Sequence, residues 1–313
     1  MKKQSNAAKA KESELLVIPG RFCNLMNDVA FQWVFGRESN KDLLIALLNE
    51  FIPGRRISDL SFNKQRQVPF SREFKKSVFD VSCKTSDGSY IDVEVQVCGQ
   101  EHFEDRLLYY STFNIQGQIA EGASDYGLRP AYVVSIDSFA LRHGPESGVR
   151  MLYSYSLRED LSHEMLTDAL HIVFVELKHF KKKWEDIDND KERFYFCLKH
   201  LHELSDLPDG FAGGIWAKLA RQSEFAEMPV NVKKEYIRKM TTEIDKRAQI
   251  ATARREGLQQ GIEEGLQRGM QQGMQQGIEQ TRIEDARNFK SAGVSTEIIC
   301  QCTGLTPEQV SAL

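Results

Sequence analysis

The sequence predicts an α/β protein built around a mixed β-sheet. Three observations lead to this class. Apolar residues early in the chain recur at intervals of three and four, as on amphipathic helices; two segments flanking Asp87-Gly88 alternate apolar and polar residues, as in a hairpin; and two later apolar runs have the length of buried strands. The predicted order is helix, hairpin, helix, strand, strand, helices, which favours a mixed sheet flanked by helices.

The pattern becomes globular near Leu15 and begins with two predicted helices. A break near Gly36 separates them, and Pro53-Gly54 marks the end of the second. The apolar positions that define the two helices are Phe31, Val34, Phe35, Leu43, Leu44, Leu47, Leu48 and Phe51.

The predicted hairpin follows, over residues 77–84 and 90–97. A three-residue turn at 86–88, with Gly88 in the left-handed conformation, would close it. This turn pairs Thr85 with Ser89 and, counting back along both strands, Asp80 with Glu94. On the second strand, Asp92, Glu94 and Gln96 then share one face, and Val93, Val95 and Val97 share the other.

The later elements follow from the same two periodicities. We predict a helix over residues 101–121, buried strands over 131–136 and 171–177, and helices over 192–204 and 212–225.

The chain is predicted to contain four segments. Residues 1–14 form a loose polar tail, 15–245 form the α/β domain, 246–281 form a helical spacer rich in Gly-x-x-x-Gly and glutamine, and 282–313 form a small helical module.

In the spacer, six glycines recur every four residues and each precedes an apolar residue. This period drifts by about 40° per repeat on a helix of about 3.6 residues per turn, so the apolar stripe winds around the helix. Each interior glycine costs about 0.5–1 kcal/mol relative to alanine. The segment is either a solvated spacer or a helix that self-associates into a homo-oligomer. The glycines are Gly257, Gly261, Gly265, Gly269, Gly273 and Gly277, and the apolar residues are Leu258, Ile262, Leu266, Met270, Met274 and Ile278.

The final module has predicted turns at Gly293 and Gly304. Ser295 and Thr306 stand at expected N-cap positions, and Thr306 with Gln309 has the pattern of a capping box. The succession of short helices resembles a helix-turn-helix, but acidic residues outnumber basic ones, which argues against strong phosphate binding. A structural or oligomerising role is the other interpretation.

Composition excludes several classes of protein. The 313 residues carry a net charge of −4 and 41% are hydrophobic, so the chain can build a core but is not a highly basic DNA coat. No apolar run is long enough for a membrane span, and no glycine-rich nucleotide loop is present, so we expect neither a membrane nor a nucleotide cofactor as a partner. Six scattered cysteines fit reduced thiols in a cytoplasmic protein.

The candidate chemistry lies on the polar face of the hairpin. Directly opposed residues have Cβ atoms about 4.5–5.5 Å apart, so Asp80 and Glu94 repel each other unless a positive charge lies between them. A hard cation such as Mg²⁺ would fit, with the Gln96 amide oxygen or the Val95 backbone carbonyl completing its ligands. The alternative is a solvated polar face on which Lys84 neutralises part of the charge.

These residues resemble a known active-site pattern. An acid on one strand and an acid-x-Gln on the next are similar to the core of the PD-(D/E)XK nucleases, in which an acid and a (D/E)-x-K sequence hold Mg²⁺ beside the scissile phosphate. Over residues 22–280 the sequence resembles the Rpn family of recombination-promoting nucleases, also called PD-(D/E)XK nuclease family transposases. The motifs that carry this resemblance are residues 27–36, 47–49, 94–96, 106–110 and 175–178.

The resemblance implies a restriction-endonuclease-like core, plus the C-terminal helical extension. Asp80, Glu94 and Val95 would then hold the metal, and Gln96 takes the place of the usual lysine. Glutamine is neutral and orients groups only through hydrogen bonds, so Lys84 is a candidate for the missing charge.

Three accessory candidates each have two interpretations. Asp28 either assists the metal or caps the first helix. Arg106 and Tyr110 lie four residues apart on one helical face, where they either reach a phosphate or attach that helix to the hairpin.

The expected function is a Mg²⁺- or Mn²⁺-dependent endonuclease that hydrolyses DNA and is associated with recombination or mobile elements. The alternative is a nuclease fold with weak or no catalysis that serves as a DNA-binding or assembly module. Glu176-Leu177-Lys178 fits the E-x-K pattern better than Glu94-Val95-Gln96 does. Asp168 lies too close to it for a paired strand between them, so we interpret Glu176 as a strand-end residue.

Overall fold

The computed structural model describes residues 20–63, 79–119, 124–144 and 149–313. The predicted tail at 1–14 and the first two positions of the predicted hairpin, 77 and 78, lie outside these ranges. The chain divides into two compact units, Met1–Ile244 and Asp245–Leu313.

The first unit opens with helices α1 (Asp28–Phe35) and α2 (Lys41–Phe51), which confirm the predicted amphipathic pair. All of the apolar positions that predicted these helices are buried. Gly36 is required after α1, because a Cβ at this position would lie 2.7 Å from the Gln32 carbonyl oxygen.

The sheet confirms the predicted mixed topology, with strand order β1-β2-β3-β4-β6-β5. The central strands β3, β4 and β6 are parallel, whereas the pairs β1–β2, β2–β3 and β5–β6 are antiparallel. Two short strands, β1 and β5, escaped prediction because they offer too few alternating residues. The strands are β1 (Leu60–Phe62), β2 (Val81–Thr85), β3 (Tyr90–Gln96), β4 (Ala131–Asp137), β5 (Leu152–Ser156) and β6 (Leu170–Glu176).

The β2–β3 hairpin has the predicted register. Val81 pairs with Val93 and Lys84 pairs with Tyr90. The turn closes with the Thr85 N–H donating to the Ser89 carbonyl at 2.9 Å. Gly88 has φ +90°, which is the left-handed backbone that the turn requires.

The two faces of the sheet carry different side chains. The β3 residues Val93 and Val95 belong to the main core, together with α1, α2, α4 (Asp190–His200) and α5 (Gly214–Ser223). On the opposite face, α3 (Phe103–Gln116) contributes Phe103 and Leu107 to a smaller cluster with Val133 and Phe174. Glu94 and Gln96 alternate with the core valines and therefore lie on the α3 side.

Helix α6 (Val230–Ser291) is continuous and contains the predicted spacer. A Cβ added at any glycine of the repeat would meet no atom within 4 Å. The helix passes through the predicted boundary at 281/282 without interruption, so the division into spacer and module stays a prediction. None of the helices in the described ranges is long and apolar enough to cross a bilayer.

The chain ends in helices α7 (Thr296–Thr303) and α8 (Pro307–Ala312), with left-handed glycines at the predicted turns. A small core joins them to the end of α6. Its buried members are Ala286, Ile299, Leu305 and Val310.

The predicted capping box at Thr306 is confirmed, whereas Ser295 stands at the N-cap of α7 without a side-chain capping bond. We expect Thr306→Ala to lower the free energy of unfolding of this unit by about 0.5–2 kcal/mol, because it leaves an amide at the start of α8 without a partner. Ser295→Ala is the matched control and should change it less. Urea unfolding followed by hydrogen exchange in residues 296–312 measures both. Equal effects from the two substitutions would contradict the assignment.

Candidate active site

Asp80 lies immediately before β2, at the open end of the hairpin. Its Oδ2 accepts a hydrogen bond of 2.7 Å from the backbone N–H of Val95. The ladder between β2 and β3 ends at Val81 and Val93, so continuing the register places Asp80 opposite Glu94. The Asp80 carboxylate therefore binds a β3 amide at the point where the regular ladder stops.

Glu94 is a nearly buried acid within β3. Its side chain is 13% exposed and its Oε1 lies 3.2 Å from Nη2 of Arg106. The other oxygen, Oε2, is buried and has no hydrogen-bond partner among the described residues. The site thus contains one carboxylate oxygen that this part of the chain does not satisfy.

The two acids hold their protons more tightly than ordinary carboxyl groups. Burial raises the pKa of Asp80 to about 8, and the adjacent negative charge of Glu94 contributes to the rise. Burial also raises the pKa of Glu94 to about 7, although Arg106 acts in the opposite direction. Without a bound cation, the fold therefore accommodates the ionised pair poorly.

Gln96 and Arg106 form the wall beside Glu94. The Gln96 amide donates to the carbonyl of Cys98 at 2.8 Å, and its Oε1 lies 3.4 Å from Nη2 of Arg106. Arg106 also donates to Oε1 of Gln100 at 2.5 Å. Arg106 therefore contacts the candidate site directly, and its guanidinium balances part of the charge of Glu94.

Tyr110 connects α3 to the chain before β2. Its ring packs edge-on against Phe79, with centroids 5.6 Å apart, and the Arg106 guanidinium lies 5.9 Å from its centroid. Strict alternation along β2 would put Phe79 on the core face with Val81, but the chain bends at Asp80 and Phe79 packs with the α3 cluster. The contacts of Arg106 and Tyr110 attach α3 to the hairpin.

Asp28 lies near both acids, but it is not the N-cap of α1. Asn27 occupies that position, and its side chain accepts hydrogen bonds from the amides of Val29 and Ala30. Asp28 instead forms an ion pair with Lys239 of α6, at 2.5 Å between Oδ2 and Nζ. The N-cap interpretation of Asp28 is therefore wrong, since asparagine one residue earlier satisfies the free amides.

Lys84 lies at the turn end of the hairpin, away from the acids. Its ammonium group sits 5.0 Å from the ring centroid of Tyr90, its partner across the strands. About 13 Å of strand separates positions 80 and 84. The structure therefore does not bring Lys84 to the site. Among the described residues, Arg106 pairs with Glu94, and Lys239 pairs with Asp28, whose charge acts on both acids.

Two buried acids near the site escaped prediction as functional residues. Asp137 and Glu176 end β4 and β6, in register with Gln96 across the parallel strands. Burial and the neighbouring charges of Glu176 and Glu94 raise the pKa of Asp137 well above its usual range. Glu176 is the predicted strand-end residue, and its Oε1 accepts from Leu141 N–H and contacts His143 Nε2 at 2.6 Å. The sequence feature that could have identified both residues is an acidic residue at the end of a buried apolar run.

The residues present fit a hard divalent cation. The atoms of Asp80, Glu94 and Val95 that could act as ligands are oxygens, and Oε2 of Glu94 is buried without a hydrogen bond from any residue in the described ranges. Within the described ranges, no group of three or more His, Cys, Asp or Glu side chains forms a metal cluster. A cation held here would take its remaining ligands from backbone or amide oxygens and water.

A mixed sheet flanked by helices, with neighbouring carboxylates at the open end of its hairpin, defines the nuclease fold of the restriction-endonuclease type. A family model described as PD-(D/E)XK nuclease family transposase matches residues 25–253, and the chain belongs to this family. The predicted family and fold class are confirmed. No curated protein and no solved structure matches the chain significantly.

Proposed function

We propose that this protein is a divalent-metal-dependent endonuclease that hydrolyses phosphodiester bonds in DNA and acts in recombination or on mobile elements. The observation that carries the proposal is the pair Asp80 and Glu94, two buried carboxyl groups with raised pKa values on the hairpin of a chain that belongs to this nuclease family. A raised pKa from burial and a like charge is typical of a functional site.

Asp80, Glu94 and Val95 are the proposed metal ligands, with Mg²⁺ or Mn²⁺ as the cation. The N–H and C=O of one strand residue point to the same edge of the strand. Because the Val95 N–H binds Asp80, its carbonyl also faces the open end of the hairpin. When bound, the cation would stabilise the negative charge that develops on the scissile phosphate.

Gln96 has the proposed role of orienting the attacking water. Among the described residues, its Oε1 contacts Arg106 at the long distance of 3.4 Å, and an amide oxygen can accept a second hydrogen bond. Arg106 keeps the Glu94 carboxylate in place through its ion pair. In this proposal, Gln96 and Arg106 position the water and the Glu94 carboxylate, and neither residue transfers a proton.

The test is cleavage of supercoiled plasmid DNA by the full-length protein, with Mg²⁺, with Mn²⁺ and with a chelator. We expect nicked and linear products only with a cation. Retention of DNA in a binding assay, combined with no cation binding by calorimetry and no cleavage, would support the DNA-binding or assembly module instead.

The same acids predict a pH dependence of cation binding. Both pKa values are raised, to about 8 for Asp80 and about 7 for Glu94, so protons compete with the cation below these values. The apparent affinity for Mn²⁺ should fall as the pH decreases from about 8, and by about tenfold or more per pH unit below about 7. Calorimetry in buffers of different ionisation enthalpy would measure the released protons. An affinity that is constant between these pH values would contradict the ligand assignment.

A further inference from the structure

Position 96 is a glutamine, so the candidate site lacks the lysine charge of the general (D/E)-x-K pattern. The cations that approach the two acids in the described ranges come from other elements. Arg106 of α3 is already paired with Glu94 and contacts Gln96 and Gln100. Lys239 of α6 pairs with Asp28, carries no second ion pair among the described residues, and acts electrostatically on Asp80.

Lys239 is held by a specific packing of the first turns of α6. The hydroxyl of Tyr236 is buried and accepts a hydrogen bond of 2.9 Å from the backbone N–H of Asn24. One turn beyond Lys239, Oε1 of Glu243 lies 3.5 Å from Nδ2 of Asn27. These contacts fix this part of α6 against the start of α1.

The ammonium group of Lys239 is consequently placed within electrostatic reach of the acids. It lies 2.5 Å from Oδ2 of Asp28. The charge of Asp28 raises the pKa of Asp80 and of Glu94, while the charge of Lys239 acts in the opposite direction on Asp80. The Lys239 side chain is 38% exposed, so its ammonium can also contact a ligand from solvent.

We propose that Lys239, presented by Asp28, contacts the scissile phosphate and supplies the positive charge that Gln96 cannot. This inference rests on the proposed nuclease function and adds a catalytic residue from a helix outside the hairpin. An ammonium group next to a phosphate stabilises the charge of the transition state without itself exchanging a proton. Asp28 is then a positioning residue, because it acts through Lys239.

The decisive experiment compares five variants of the protein, among them Gln96→Lys alone, in the plasmid assay and in single-turnover cleavage of a short duplex. Lys239→Met should lower kcat by about 10²-fold while the KM for DNA changes little. Lys239→Arg should retain part of the rate, because the charge remains. Lys233→Met is the matched control, since Lys233 lies on the same helix and donates to the Ala226 carbonyl; it should leave the rate unchanged.

The double variant Lys239→Met with Gln96→Lys separates charge from structure. Moving the lysine back to the hairpin should recover at least about tenfold of the lost rate, an effect that a purely structural role of Lys239 does not produce. Calorimetry gives a readout besides activity: Lys239→Met should bind Mn²⁺ at least as tightly as the unmodified protein, because a repelling charge is removed.

The outcomes of this experiment distinguish the two proposals. If the unmodified protein does not cleave DNA with either cation, the proposed function fails and this inference fails with it. If the protein cleaves and Lys239→Met keeps its full rate, the inference alone is overturned. The inference is also overturned if Gln96→Lys alone is active but the double variant is no more active than Lys239→Met.

Discussion

Replacing Asp80 with asparagine is expected to lower DNA cleavage by about 10³-fold or more and, in the absence of metal, to stabilise the fold at alkaline pH. The loss follows because asparagine removes one of the two carboxylates that would hold the cation. The gain follows because the fold buries Asp80 beside Glu94, and the ionised pair is poorly accommodated. One substitution therefore moves activity and stability in opposite directions.

The sign of the stability effect follows from the pKa of Asp80. Its folded-state pKa, about 8, lies above the value of 3.8 for an ordinary aspartate. The stabilisation from the protonated form is complete below about pH 4 and is lost as the pH rises towards 8. Asp80→Asn has no such titration, so with a chelator at about pH 9 it should exceed the unmodified protein by about 1–3 kcal/mol in its free energy of unfolding.

Asp87→Asn is the matched control, because it changes an acid in the same hairpin with the opposite pKa shift. The hydrogen bond from Thr85, with those from Ser89 and Arg55, lowers the pKa of Asp87. Its stabilisation is present above the ordinary pKa of aspartate and is lost only in acid, so Asp87→Asn should slightly destabilise the protein near neutral pH. Cleavage should be retained. Urea unfolding at pH 5 and pH 9 and the plasmid assay measure both variants. Activity in Asp80→Asn, or lower stability than the unmodified protein at pH 9, would refute the assignment.

The hairpin shows which parts of the site could be predicted from local sequence. The turn residues set the register, and the register alone places Asp80 opposite Glu94. The bend at Asp80 could not be predicted from alternation, because it depends on the hydrogen bond to Val95 and on the packing of Phe79 against α3. The period-two rule holds only while the strand ladder continues.

The remaining parts of the site depend on contacts between distant segments. Lys239 and Asp28 are 211 positions apart in sequence, and no periodicity records their ion pair. Asp137 and Glu176 enter the neighbourhood of Gln96 only because β4 lies between β3 and β6. The sequence does not predict the order of the strands, so it could not show that these two acids lie side by side at the ends of neighbouring strands. The family resemblance predicted the hairpin acids and offered Asp28 as a candidate, but it predicted no role for Lys239 or Asp137.

The charges around the acids explain why the site can exist in the protein before a cation binds. Arg106 neutralises part of the charge of Glu94, and Lys239 does the same for Asp28. Asp80 has no direct ion pair among the described contacts and relies on one backbone N–H. The pKa of Asp80 is therefore the higher of the two, and a cation would relieve Asp80 most. Because of this difference between the two acids, we expect Asp80→Asn to give the largest opposite changes in activity and stability.

Changing the six glycines of the α6 repeat to alanine should stabilise the helix by about 3–6 kcal/mol in total, since each change removes about 0.5–1 kcal/mol of unfavourable backbone entropy. No steric cost opposes this gain within one chain, because an added Cβ would meet no atom within 4 Å at any of these positions. Hydrogen exchange of residues 257–277 in the full-length protein should slow accordingly. Gly54→Ala is the control: its surroundings are equally open, but its φ of +73° strains any L side chain, so it should destabilise.

The same six-alanine variant tests which of the two interpretations of residues 254–281, self-association or a solvated spacer, is correct. Each glycine of the repeat precedes an exposed apolar residue, and the exposure of these residues ranges from 48% at Ile278 to 71% at Met274. If two copies pack against each other along the glycines, their backbones can approach closely only because glycine has no Cβ atom. Alanine should then lower the sedimentation mass, although each helix is intrinsically more stable. If the segment is a solvated spacer, the mass should stay constant while exchange slows. A mass that matches the monomer before and after the change would refute self-association through this helix, because in that case no copy depends on the glycine surface.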